Sequence, residues 1–204
     1  MIAHMIKLIA ATNNAHKLKE FREILGSAFD IRSLSEEGFS IEVEEDQDTF
    51  LGNALKKARE VARLTSHAAL SDDSGLLVDA LGGAPGVYPA RYSGDNATDE
   101  SNREKLLREM APFTDPDARG ASFHSSVVIC FPDGETITGE GDTRGRILLE
   151  ETGENGFGYD SLFYSYDLGK SFGIATAEEK NSVSHRSRAL TDLKSKLSSF
   201  ISED

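Results

Sequence analysis

The sequence predicts an α/β protein built around a mixed β-sheet. Apolar runs of strand length alternate with helix-periodic segments through the first half of the chain. A strand–turn–strand signature follows later, around Pro132-Asp133-Gly134. At 204 residues, 38% hydrophobic and 28% charged, the chain has the composition of one globular domain with a sizeable core. We read residues 1–204 as a single domain, with residues 1–5 as an extension ahead of the first strand.

The elements follow in order. Residues 6–11, IKLIAA, read as a buried strand, and TNNAHK as the turn after it. HKLKEFREILG places Leu18, Phe21 and Leu25 on one helical face, and Gly26 supplies the stop. FDIRSL is a second strand, and residues 35–47 form an acidic connection. DTFLGNALKKAREVARLTS is a longer helix, with Phe50, Ala54, Ala58, Val61 and Ala62 sharing a face and Asp48 as its expected cap. AALS is a short strand expected to end at Asp72-Asp73. ATDESNREKLLREM is a third helix, with Ser101 and Glu104 at capping-box spacing. ASFHSSVVICF, PDG and ETITGEG make a β-hairpin, and RGRILLE reads as another strand. A last helix lies near SHRSRALTDLKSKLSSFI, aligning Leu190, Leu193, Leu197 and Phe200.

Composition excludes several classes. The formal net charge is −13, which argues against general nucleic-acid binding but permits a focused site for a small phosphate ligand. No apolar run approaches the roughly 20 residues of a membrane span, and the N-terminus does not read as a signal peptide. The one cysteine, Cys130, lies in an apolar run and reads as a small buried hydrophobe. With no disulfide framework, a cytoplasmic location is expected.

Several segments carry chemistry beside plainer readings. Thr12 to Lys17 opens a helix after a strand, where backbone N–H groups favour anions and Lys17 adds charge; the plain reading is helix capping. The acids from Glu42 to Asp48 suit either a solvated loop or an oxygen ligand for Mg²⁺. Asp72 and Asp73 stand side by side before Ser74-Gly75; an Asx-type turn accounts for one acid more comfortably than for two. Together with a carboxylate from the Glu44 region they match Mg²⁺, which takes few carboxylates alongside substrate phosphates. A carboxylate there could also deprotonate an attacking water. Gly156-Phe157-Gly158-Tyr159-Asp160 offers Phe157 or Tyr159 for stacking on a base, or as core. Lys180, His185 and Arg186 could hold phosphate or donate to a base edge, or simply form a charged helix entry.

The order of these motifs is more specific than any one of them. Thr12-x-Asn14-x-x-Lys17, an acidic run before Thr49-Phe50-x-x-Asn53-Ala54, Ser71-Asp72-Asp73-Ser74-Gly75-Leu76, the block from Gly83 to Tyr92, Gly156 to Asp160 and Ser184-His185-Arg186 occur in one chain. From about residue 6 to residue 200 the sequence closely resembles the inosine triphosphate pyrophosphatase, or Ham1-like, family of non-canonical purine NTP pyrophosphatases. The resemblance implies an elongated two-lobed fold with a long central mixed sheet flanked by helices and a nucleotide cleft between the lobes. It implies a homodimer that uses Mg²⁺ to hydrolyse ITP, dITP and XTP to the monophosphate and pyrophosphate, cleansing the nucleotide pool.

Carried over by motif, Thr12, Asn13, Asn14, Ala15, His16 and Lys17 would hold phosphates. Glu44 and Asp73 would bind Mg²⁺, with the choice of Glu44 over Glu45 resting on register. Asp73 would also be the proton acceptor. Ser74, Phe157, Gly158, Tyr159, Asp160, Lys180, His185 and Arg186 would contact the nucleotide. Arg186 or His185 is expected to donate to the 6-keto oxygen that adenine lacks. One departure is Gly52, expected in mid-helix at a cost of about 1 kcal/mol against alanine. Two other readings remain at this level: a non-catalytic purine-nucleotide sensor, and a Maf-type nucleotide pyrophosphatase.

Overall fold

The computed structural model describes residues 6–26 and 29–201, with residues 198–201 described by their backbone alone. Residues 1–5, and the side chain of Phe200 expected on the last helix face, lie outside the described residues. The elements are β1 (Ile6–Ala10), α1 (Ala15–Leu25), β2 (Phe29–Ser33), α2 (Phe50–Thr65), β3 (Ala69–Val78), α3 (Asp99–Met110), β4 (Gly120–Cys130), β5 (Thr136–Ile147), β6 (Phe163–Ser165), β7 (Lys170–Ser171), α4 (Ala177–Val183) and α5 (His185–Ile201). Seven strands form one sheet in the order β2-β1-β3-β4-β5-β6-β7. β1 runs parallel to β2 and β3, whereas β5, β6 and β7 pair antiparallel, so the sheet is mixed as expected.

The chain separates into two compact units. One comprises Met1–Asp73, Ser125–Gly141 and Arg186–Asp204; the other comprises Ser74–His124 and Asp142–His185.

In the first unit, strand alternation sends successive residues to opposite faces of the sheet. Leu8, Ala10, Leu70, Val127 and Ile129 pack with Phe21 and Leu25 of α1 and with Leu190, Leu193 and Leu197 of α5. Ile9, Ala69, Val128 and Cys130 face the other way, against Ala54, Ala58, Val61 and Ala62 of α2. Both faces are covered, which is why these strands read as continuous apolar runs. In the second unit, Leu76, Val78, Ala121, Phe123 and Ile147 pack with Leu106 and Met110 of α3 and with Phe163 and Phe172.

Four local expectations are corrected. β3 does not end at the acid pair but continues through it to Val78, because both carboxylates find partners within the fold. RGRI is the end of β5, whose burial alternates without a break from Thr136 to Ile147. Thr49 caps α2 in place of Asp48, its Oγ1 accepting from the Gly52 N–H at 3.0 Å. Thr98 caps α3, and Ser101 occupies the third position of that capping box. Gly52 therefore lies in the first turn of α2, where a Cβ would come within 2.9 Å of Thr49 Oγ1 and 3.0 Å of Gln47 Cβ. Its glycine accommodates the cap and does not loosen the helix interior.

Candidate active site

The acid pair lies on β3 just past the point where β1 stops. Ala10, the last residue of β1, is in register with Leu70; Ser71, Asp72 and Asp73 follow. Ser71 Oγ donates to the Ala54 carbonyl at 2.6 Å, tying β3 to α2. Adjacent residues on a strand point to opposite faces, so two neighbouring carboxylates need not face each other. Asp72 follows the parity of Leu70 toward α1 and α5, and Asp73 follows that of Ala69 toward α2.

Asp72 meets two cations. Its Oδ2 accepts from Arg186 Nε at 3.0 Å and Nη2 at 2.9 Å, and its Oδ1 lies 3.0 Å from Lys17 Nζ. Arg186 Nη1 also donates to Glu20 of α1. Burial alone would raise the Asp72 pKa, but Lys17 and Arg186 outweigh it and hold the carboxyl well below the usual range. Burial pushes the Lys17 ammonium down, against the pull of Asp72. The Arg186 guanidinium, with 1% exposure, is fixed in this network.

Asp73 is held differently. Its Oδ2 accepts from Asn53 Nδ2 at 3.0 Å, and Asn53 Oδ1 accepts from the Gln47 N–H at 2.9 Å. Lys57 Nζ stands 3.6 Å from Asp73 Oδ1 and also pairs with Glu45. Burial is the largest influence on Asp73 and pushes its pKa up to about 6; Lys57 opposes the rise and Glu45 adds to it. A carboxylate in that range is ionised at neutral pH yet a stronger base than an ordinary aspartate, as general-base chemistry requires. One acid of the pair is a permanent anion; its neighbour is poised.

The loop ahead of α1 combines capping with an exposed helix start. Asn14 is the N-cap, its Oδ1 accepting from His16 N at 2.9 Å and Lys17 N at 3.2 Å, and Thr12 Oγ1 accepts from Asn14 N at 3.1 Å. Asn13, Asn14, Ala15 and His16 are exposed, and Lys17 turns inward to Asp72. The plain capping reading holds, and it coexists with an anion-favouring helix terminus.

The second unit gathers the aromatic segment. Asp160 Oδ2 accepts from Phe157 N at 2.9 Å and from Lys180 Nζ at 2.7 Å, closing a tight loop. Gly156 makes that closure possible: it has φ +77°, and a Cβ there would lie 2.1 Å from Asp160 Oδ2. Lys180 Nζ stands 4.7 Å from the centre of the half-buried Phe157 ring. Tyr159 belongs to the core, its hydroxyl donating to the Pro89 carbonyl at 2.7 Å. His185 stacks on Phe123 with ring centres 4.8 Å apart, and Ser74 is half-buried on β3.

The first unit therefore brings Lys17, Asp72, Asp73 and Arg186 together, and the second brings Phe157, Asp160 and Lys180 together. Glu44 is exposed, and the adjacent Glu45 is the carboxylate paired with Lys57. Among the described residues no group of three or more His, Cys, Asp or Glu side chains could hold a metal ion unaided. Mg²⁺ ordinarily binds through one or two carboxylates, with water and substrate phosphates completing its shell. Asp73 is a hard oxygen donor whose ionised form is disfavoured by burial, so a cation beside it would relieve that penalty.

The sequence assigns no role to three residues of this network: Glu20, Asn53 and Lys57. Asn53 and Lys57 interrupt the apolar stripe Ala54-Ala58-Val61 of α2 at i, i+4 spacing, and both are buried. Polar residues inside a core-facing stripe are the signal that could have found them.

The chain matches the Ham1 family over residues 8–196. It is 48% identical over 195 residues to a dITP/XTP pyrophosphatase of Desulfotalea psychrophila, covering 95% of this chain and 86% of the relative. It is 45% identical to that of Clostridium perfringens, covering 97% and 100%. The Ham1 protein of Staphylococcus aureus superposes with a TM-score of 0.83 at 38% identity, covering 95% of this chain and 98% of that one. Motifs, mixed sheet and matched length agree: the chain belongs to the Ham1 family.

Proposed function

We propose that this protein hydrolyses non-standard purine nucleoside triphosphates, ITP, dITP and XTP, to the monophosphate and pyrophosphate, as one nucleotide pyrophosphatase domain. The observation that carries the reading is Asp73: a buried carboxylate with its pKa raised to about 6, beside Lys57 and one residue from an acid locked by Lys17 and Arg186. Relatives bearing the dITP/XTP pyrophosphatase name support the substrate class.

Glu44 and Asp73 would hold Mg²⁺, which when bound neutralises charge on the phosphate oxygens. Asp73 accepts the proton of the water directed at the α-phosphorus, Asn53 fixing its orientation. The loop from Thr12 into the start of α1, exposed from Asn13 to His16, receives phosphate oxygens at the positive end of the helix. Lys17 and Lys57 place positive charge where the leaving pyrophosphate develops negative charge. In the second unit Phe157 offers a stacking face, held by Asp160 and Lys180. Ser74, Gly158, His185 and Arg186 add nucleotide contacts, with Tyr159 supporting that loop from the core, and His185 or Arg186 favours a 6-keto acceptor over the 6-amino group of adenine. The working form is a homodimer in the cytoplasm, the latter in keeping with one buried, unpaired cysteine.

Hydrolysis in heavy-oxygen water tests the point of attack. Label appearing in the monophosphate supports attack at the α-phosphorus; label appearing only in pyrophosphate overturns it.

A further inference from the structure

The loop that carries Phe157 is held from outside as well as from within. Asp160 takes the Phe157 N–H at 2.9 Å. At the next residue both backbone polar groups are taken by α3. Asp99 Oδ2 accepts from the Gly158 N–H at 3.0 Å, and Arg103 Nη1 donates to the Gly158 carbonyl at 3.0 Å. Asp99 and Arg103 stand four residues apart on α3, one above the other on the same helical face.

The clamp is itself braced. Arg103 Nε donates to Glu151 Oε2 at 2.9 Å, and that oxygen also accepts from Ser161 Oγ at 2.9 Å, one residue beyond Asp160. Gly158 has φ +60° and offers no side chain to anchor it, so its position is set through its backbone. Hydrogen bonds to charged groups are the stronger kind, and one on each of the two peptide units that flank Gly158 leaves the chain little freedom to rotate there.

We propose that Asp99 and Arg103 are positioning residues for base recognition. Asp99 fixes the peptide between Phe157 and Gly158 and Arg103 the one after it, and together they set the plane in which the Phe157 ring meets a purine. The inference rests on the reading of Phe157 as the stacking face. Neither residue touches the substrate, so both act on base binding and leave the phosphate chemistry to the other residues.

The test uses the full-length protein with dITP as substrate and inorganic pyrophosphate, which has no base, as competing inhibitor. Asp99→Ala and Arg103→Ala are each expected to raise KM for dITP about 5- to 30-fold, the factor carried by one or two kcal/mol. kcat changes little, and inhibition by pyrophosphate is unchanged. Asp99→Asn, whose amide oxygen can still accept from Gly158, restores KM. Placed on Phe157→Ala, both substitutions lose their effect.

An unchanged KM, an equal loss of pyrophosphate binding, or a full effect persisting in the Phe157→Ala background would each overturn the proposal. If Phe157→Ala alone leaves KM unaltered, the stacking reading fails and takes this inference with it. That result is separable from failure of the clamp, in which Phe157→Ala raises KM and the α3 variants do not.

Discussion

Asp73→Asn should make the protein more stable while making it inactive. The magnitude follows from the site. Asp73 has its pKa raised from 3.8 to about 6, with burial the largest cause. A raised carboxyl pKa means that the folded state holds the proton more tightly than the unfolded chain does. The associated stability is fully present below about pH 4 and is lost as pH rises through about 6. That span corresponds to ~3 kcal/mol at neutral pH. Asparagine resembles the neutral acid in shape and can still present an oxygen to Asn53, so the variant escapes the penalty. For a chain of this length the gain is a melting temperature higher by on the order of 6–12 °C. Thermal melts of both proteins, without metal, at pH 7.5 and at pH 4 measure it. The variant should be the more stable at pH 7.5, and the difference should shrink toward pH 4. A variant equal to or less stable than the wild type at pH 7.5 would refute the reasoning, as would an offset independent of pH. The same substitution should reduce turnover about 10²- to 10⁴-fold, the range general-base removal costs.

Other outcomes follow from the same geometry. Arg186→Ala leaves Asp72 and Glu20 without their shared guanidinium and should cost about 3–5 kcal/mol in denaturant unfolding, so base selectivity is better measured on a folded Arg186→Lys variant, which should lose preference for ITP over ATP. Glu44→Gln should weaken Mg²⁺ binding in calorimetry more than Glu45→Gln does; the reverse order would move the metal ligand to the residue that pairs with Lys57. Gly156→Ala forces a Cβ onto Asp160 and should raise KM for dITP with a smaller change in kcat; unchanged kinetics would remove the loop from base binding.

Much of this was legible in the sequence because the physics is local. The β1–α1 junction announces itself through an apolar run, Asn14 and a helical stripe ended by Gly26, whose N–H returns to the Arg22 carbonyl. The hairpin reads from its alternation and its PDG turn. What escaped depends on contacts distant in sequence. Asp72 and Asp73 look like one acidic patch; the strand period sends them to opposite faces, where α1 and α5 neutralise one and α2 the other. The partners lie as far away as Arg186, 114 residues along the chain from Asp72. The same cause hid the true extent of β3, since a strand through two acids looks unfavourable until their cations are in place. The caps at Thr49 and Thr98 lie one and three residues from the expected Asp48 and Ser101, where several neighbouring side chains could serve.

The most direct test of the whole account is the product formed from a panel of ITP, dITP, XTP, GTP and ATP, with and without Mg²⁺. The account predicts pyrophosphate and the nucleoside monophosphate from the first three, little turnover of GTP and ATP, and none without the metal. Release of orthophosphate as the first product, or tight binding of ITP with no cleavage, would contradict it.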